Sequence, residues 1–249
     1  MYREYFKTKY ETGLDNTPIT ERRRAMILKN AQFVAQMWHQ FCDIQRLALV
    51  EIRHANKADN KPRGGLSARG EEQASLMGLT IGPVLHSLTA RRGMCRFYSS
   101  NTGRCFRTIW HLIATFHNVM DPETLISIPK ELDIPYLGPN DEDAKTCTKV
   151  AEKLGISRNE AFALNWQKYG FKRLGEAPTA SSARIQRGLT ELLIRQPNDV
   201  RVVIYCGNSP VMNEAVGIPG VMAELEALFF AHENGQFQLL GRAAPEFSD

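Results

Sequence analysis

Three short stretches hold residue types suited to anion handling and group transfer: Arg53-His54 at the end of an apolar run, Ser100 to Thr108 (SNTGRCFRT), and Cys206 to Ser209 after a second apolar run. An imidazole titrating near pH ~6.5 serves as nucleophile or base, and planar guanidinium forks match the oxygens of phosphate or carboxylate. A short strand that hands a cation and an imidazole to a polar, glycine-punctuated loop is how an α/β fold presents such chemistry at the carboxyl edge of its sheet. Plain structural readings stand beside these. Arg53 can pair with Glu51 at the surface, and Arg104 can satisfy a helix terminus.

The elements that must position these residues follow from the apolar patterning. Leu47 to Ile52 is short and almost continuously apolar, as buried parallel strands are. Ser67 is the expected N-cap of a helix running to about His86, with Glu71 and Glu72 near its positive end. Cys95 to Ser99 reads as a strand, Arg104 to about His117 as a helix, and Leu125 to Gly138 as irregular chain with one short strand. Helices are expected near Asp141 to Leu154, Arg158 to Tyr169 and Ser182 to Arg195, followed by the clearest buried strand, Val200 to Cys206. A short helix near Val211 to Val216 and a hairpin, Glu226 to Phe230 with Gln236 to Leu240 around Asn234-Gly235, close the fold. Strands alternating with helices predict an α/β three-layer sandwich around a mostly parallel central sheet.

Ahead of this unit, residues 1 to about 18 read as a loose arm. Ile27, Val34, Trp38, Phe41 and Ile44 recur at helical spacing and predict an added N-terminal amphipathic helix of about 23 residues, roughly 35 Å long. Its apolar face must pack either on the main body or on a second copy, which would make a homodimer. The expected division is 1–46 for the arm and helix and 47–249 for the α/β domain.

Composition narrows the partners. A net charge of +4 over 249 residues is too mild for an obligate nucleic-acid binder, and the basic run Arg22-Arg23-Arg24 reads as a solvated helix face. Cys42, Cys95, Cys105, Cys147 and Cys206 are odd in number and lack CxxC spacing, which argues against a disulfide framework or a thiolate zinc site and for a reducing compartment. No signal-peptide core and no membrane-length apolar run is present, so a cytoplasmic protein is expected. HxxxH and HExxH spacings are absent and His86, His111, His117 and His232 have no motif around them, so no metal or other cofactor is expected.

The three stretches, in order, resemble the histidine phosphatase superfamily, whose phosphoglycerate mutase-like branch carries RHGxxxxN, LTxxGxxQA, SSxxxRAxxT and a late strand ending in His-Gly. Here these are Arg53-His54-Ala55 with Asn60, then Leu66-Ser67 with Gly70 and Gln73-Ala74, then Ser99-Ser100 with Arg104 and Thr108, then Val203 to Gly207. The resemblance spans about residues 47 to 241. It implies that His54 is a nucleophile forming a phosphohistidine and that Arg53, Asn60 and Arg104 clamp the phosphoryl group, with Cys206 and Gly207 lining the same site. It also implies a leaving-group acid after the second helix, where Glu131 and Asp133 lie in PKELDIPYLG.

Two departures from that pattern bear on the chemistry. Ala55 stands for the glycine after the histidine, and Cys206 stands for the second histidine. A neutral thiol is a weak donor and a thiolate repels phosphate, so the loss of that histidine costs about 2.7–4 kcal/mol of transition-state stabilisation. Cys206 is not the nucleophile of a cysteine-dependent phosphatase, because Met212 occupies the position where that class needs arginine. It reads as a buried small residue or as a redox-sensitive pocket thiol. The expected function is therefore hydrolysis of a phosphomonoester, small molecule or phosphoprotein, at reduced rate. The alternative is a non-catalytic phosphate-binding or interaction protein, a pseudophosphatase; a mutase is a third possibility.

Overall fold

The computed structural model describes residues 48–58, 64–92, 95–116, 126–132, 141–156, 178–209 and 211–243, with the single positions 32, 35, 36, 40, 160, 161 and 164. The N-terminal arm, Cys42, Asn60 and Asp133 lie outside them, as do most of the N-terminal helix and most of 158–169. Gln32, Gln36 and Gln40 are helical and exposed, and the helical Ala35 packs against the core.

A near-continuous apolar strand cannot sit at a wet edge, and β1 (Ala48–Arg53) is accordingly buried at every residue in the interior of the sheet. It is followed by α1 (Ala68–Arg92), β2 (Cys95–Ser99), α2 (Gly103–Phe116), β3 (Ile126–Ser127) and a 3-10 turn, Lys130–Leu132. Then come α3 (Asp141–Leu154), α4 (Pro178–Ile194), β4 (Val202–Gly207), α5 (Val211–Ala215), β5 (Ala227–Glu233) and β6 (Gln236–Ala243). The strand order is β3-β2-β4-β1-β5-β6. The β3-β2, β2-β4 and β4-β1 pairs are parallel, whereas β1-β5 and β5-β6 are antiparallel.

Alternation along the strands supplies both faces of the sheet. Val50, Ile52, Ile204, Cys206 and Phe229 pack with Ala74, Met77 and Ile81 of α1 and with Cys105, Ile109 and Ile113 of α2. Leu49, Val203, Tyr205, Leu228 and Phe230 pack on the other side with Ile185, Leu189 and Leu193 of α4, and with Val211 and Met212 of α5. Helices therefore cover both faces of a mostly parallel sheet, the three-layer α/β arrangement that the strand–helix alternation predicts.

Local chemistry explains the boundaries. The Ser67 hydroxyl accepts from the Gly70 N–H at 3.0 Å and caps α1 as expected. That helix continues past His86 to Arg92, with Pro83 on its exposed side beside Leu79, which is 57% exposed four residues back. Pro178 takes the first position of α4, where its missing N–H costs nothing, so the helix starts before Ser182. Asn234 and Gly235 both have positive φ, 52° and 76°, the pairing that a tight β-hairpin turn requires.

One residue runs against this order. Glu51, on the α4 face of β1, is fully buried, and neither carboxyl oxygen has a hydrogen-bond partner. Burial raises its pKa well above the usual carboxylate range, so it stays protonated in the fold.

Candidate active site

The carboxyl ends of β1, β2 and β4 lie side by side, since Arg53 pairs with Gly207 and Ser99 with Cys206. Arg53 and His54 therefore leave the sheet beside the start of α2, which carries Arg104. His54 is only 5% exposed, and its Nδ1 lies 2.7 Å from the Ala55 carbonyl, which can only accept. That contact puts the ring proton on Nδ1 and the lone pair on Nε2. Burial, followed by the charges of Arg53 and Arg104, holds the His54 pKa well below the ordinary imidazole range, so the ring is neutral at neutral pH.

Arg53 is not paired with Glu51 at the surface. It is 9% exposed, one of its terminal nitrogens donates to the Met222 carbonyl, and its buried Nε has no hydrogen-bond partner among the described residues. Burial lowers its pKa while Glu224 and Glu226 raise it, and the Arg104 charge also reaches it. Arg104 is half-buried, and its Nε donates to the Asn208 side-chain oxygen at 2.8 Å. The charges of both guanidinium groups thus reach the neutral imidazole, an environment that favours a compact anion.

Several motif residues support this geometry without contributing to the cluster. Gly70 lets α1 approach the His54 loop, because a Cβ there would lie 2.0 Å from the Asn56 carbonyl oxygen. Gln73 accepts from the Asn56 N–H at 3.1 Å, and the Ser67 hydroxyl donates to the Asn56 side-chain oxygen at 2.6 Å. The Thr108 hydroxyl accepts from the Ala55 N–H at 3.1 Å and donates to the Arg104 carbonyl at 2.8 Å, joining loop to helix.

The remaining candidates divide. Cys206 is fully buried, and burial together with a hydrogen bond to Cys105 raises its pKa, keeping the thiol protonated. The Gly207 carbonyl faces the His54 N–H at 3.4 Å, and a Cβ on Gly207 would meet Met212 Sδ at 2.6 Å. Glu131 sits exposed on the 3-10 turn over α4, its carbonyl accepting from Arg184 at 2.8 Å. Among the described residues no group of three or more His, Cys, Asp or Glu side chains could hold a metal ion, and no helix is long and apolar enough to cross a membrane.

Two residues at the site were not singled out from the sequence. Asn208 donates from its amide nitrogen to Ser100 Oγ (3.3 Å), Thr102 Oγ1 (3.1 Å) and Cys105 Sγ (3.4 Å) while its oxygen holds Arg104. Glu224 accepts from Asn56 Nδ2 at 2.7 Å and from Gln73 Nε2 at 3.5 Å, fixing the His54 loop beside Arg53. The only sequence signal for Asn208 was its place directly after a buried strand.

No protein-family model matches the chain, and no curated sequence is similar to it. Among solved structures, a phosphoglycerate mutase from Bacillus anthracis str. Sterne is similar with a TM-score of 0.57 at 15% identity, over 81% of this chain and 94% of that one. A mycobacterial glucosyl-3-phosphoglycerate phosphatase is similar at a TM-score of 0.53 and 19% identity, covering 80% of this chain and 99% of its own. A phosphoserine phosphatase variant from Entamoeba histolytica in complex with phosphoserine gives 0.53 at 11% identity, over 81% and 98%. The chain carries the α/β fold of these phosphoglycerate mutase and phosphatase structures.

Proposed function

We propose that this protein is a phosphatase of the histidine phosphatase type, binding a phosphomonoester between Arg53 and Arg104 and hydrolysing it through a phosphohistidine on His54. The observation that carries the reading is the neutral His54 with its lone pair on Nε2, set among two guanidinium groups, one of which has a buried nitrogen with no hydrogen-bond partner among the described residues. Nε2 attacks phosphorus and the P–O bond to the leaving group breaks; water then attacks phosphorus, releasing orthophosphate and restoring the imidazole. Asn60 and the Gly207 backbone complete the cradle, and Glu131 is the carboxyl assigned by resemblance to protonate the leaving oxygen. Turnover is slow, because the buried Cys206 thiol offers no strong donor where the second histidine would stand.

That buried thiol also favours a second reading, a pseudophosphatase that binds phosphate without turning it over. The two are separated by measuring p-nitrophenyl phosphate turnover and orthophosphate binding for wild type, His54→Ala and Arg104→Ala. An active enzyme loses all turnover in His54→Ala yet still binds orthophosphate, and loses both in Arg104→Ala. Orthophosphate binding with no wild-type turnover establishes the second reading, and turnover unchanged in His54→Ala overturns the first.

A further inference from the structure

Both positions that differ from the resembling pattern on the β4 side of the site are cysteines, and they touch. The residue after the motif arginine, alanine in SSxxxRAxxT, is Cys105, and the position of the second histidine is Cys206. Both are free and fully buried. They sit in one core cluster, held together from two directions: Ser99 pairs with Cys206 across the β2-β4 ladder, and α2 begins at Gly103, two residues before Cys105. The two thiols share a hydrogen bond in which Cys206 donates to Cys105.

Their surroundings are unequal. Asn208 Nδ2 donates to Cys105 Sγ at 3.4 Å, and Ser100, Thr102 and the Arg104 charge favour a thiolate there. Burial alone would raise the Cys105 pKa, but the Cys206, Ser100 and Thr102 hydrogen bonds with Arg104 bring it below the ordinary thiol range, while Cys206 moves the other way. One sulfur is thus prepared to attack and its neighbour to resolve, the asymmetry of a reactive pair rather than of two inert core thiols. Thr102 and Asn208, each 8% exposed, border the pair on the site side.

We propose that Cys105 and Cys206 form a redox-active dithiol under the phosphate site, closing reversibly to a disulfide when a hydroperoxide oxidises Cys105. The Cys105 thiolate attacks one peroxide oxygen and the O–O bond breaks, giving a Cys105 sulfenic acid and an alkoxide or hydroxide that takes up a proton. The Cys206 sulfur then attacks the sulfenic sulfur. An S–S bond forms, the S–O bond breaks, and the departing hydroxide takes the Cys206 proton and leaves as water. Two electrons pass from the sulfur pair to the peroxide, and an external dithiol returns them. Closure draws Cys105 Sγ away from Asn208, the residue that orients Arg104, so the redox state is read at the anion site. That last coupling rests on the phosphate reading of the site.

The test treats the reduced full-length protein with hydrogen peroxide, with and without excess orthophosphate, and maps peptides by mass without reduction. The expected product is a Cys105–Cys206 linked peptide lighter by two hydrogens, reversed by dithiothreitol, lost completely in Cys105→Ala and unchanged in Cys95→Ser. In Cys206→Ser the unresolved Cys105 sulfenic acid is trapped by dimedone. A folded wild type that yields no linked peptide, or that oxidises first at Cys95 or Cys147, overturns the dithiol. Several-fold slower closure in orthophosphate supports the coupling; a linked peptide forming at the same rate with phosphate upholds the dithiol and overturns the phosphate site above it.

Discussion

The loop that carries His54 is anchored by α1, whereas the end of β4 is anchored by Asn208 and a pair of thiols. On the first side, Ser67, Gly70 and Gln73 meet the backbone and side chain of Asn56, with Glu224 behind them, and every contact is a hydrogen bond or a close backbone approach. On the second side, one amide reaches Ser100, Thr102, Cys105 and Arg104 at once. The half that carries His54 departs from the resembling pattern at Ala55, while the half that would stabilise a transferring group carries cysteines at two of the pattern's positions. In the proposed reading, binding and transition-state stabilisation rest on different halves of the site, and the second half is the weaker one.

The largest expected effect comes from rebuilding the second half. Restoring histidine where Cys206 stands and alanine where Cys105 stands raises turnover of a phosphomonoester by about 100- to 1,000-fold, equivalent to about 2.7–4 kcal/mol. Cys206→His alone gains less and lowers stability, because the new ring enters a fully buried position already crowded by Cys105. Steady-state kinetics on a phosphomonoester panel check this. No gain in the double variant removes the claim that the β4 side limits catalysis.

Crowding each half in turn sharpens the contrast. In Gly70→Ala the new methyl lies 2.0 Å from the Asn56 carbonyl oxygen, so backbone must move, at about 3 kcal/mol. In Gly207→Ala the nearest atom is the Met212 sulfur at 2.6 Å, the end of a flexible side chain that can turn aside. Urea unfolding midpoints should therefore fall further for Gly70→Ala, and the reverse order would show that the β4 side is the more rigid.

Much of this arrangement was legible in the sequence because its causes are local. Ser67 announces a helix start, Asn234-Gly235 a hairpin, and Val200 to Cys206 a buried strand, observed as Val202–Gly207. His54, Arg53 and Arg104 were legible through motif order, since strand ends in a parallel sheet bring such residues together. Asn208 was not, because its partners at Ser100, Thr102 and Cys105 lie 108, 106 and 103 residues away and no local pattern records such a contact. Glu224, which fixes the His54 loop, was hidden for the same reason, lying 168 residues from Asn56. The burial of Glu51 was hidden too: a lone acid in an apolar run reads as a surface position until both sheet faces are known to be covered.

Glu51 puts a cost on the strand that feeds the well-anchored half. Its folded-state pKa is raised, so the fold binds a proton that the unfolded chain releases above about pH 4.3, and stability falls as pH climbs beyond that point. Glu51→Gln removes the titration. Its stability advantage over wild type should grow by about 1.4 kcal/mol per pH unit above about pH 4.3, until the folded carboxyl itself ionises. Chemical denaturation at a series of pH values measures the slope, and a parallel pair of curves would mean that Glu51 is solvated or paired. Turnover should be unchanged, because the carboxyl lies on the α4 face and makes no contact with His54.

Thr108 is the seam between the halves, and cutting it gives the smallest effect. Its hydroxyl receives the Ala55 N–H, donates to the Arg104 carbonyl and also interacts with the Cys206 thiol. Thr108→Val keeps the shape but leaves the N–H of the fully buried Ala55 without its acceptor, costing about 1–2 kcal/mol. The kinetic consequence is more telling than the stability loss. If His54 and Arg104 hold their spacing only through this hydroxyl, kcat should fall several-fold while orthophosphate affinity stays near wild type, because each half still presents its own charge. An equal loss in both would mean that the hydroxyl shapes the anion site itself, and the separation between a binding half and a catalytic half would fail there.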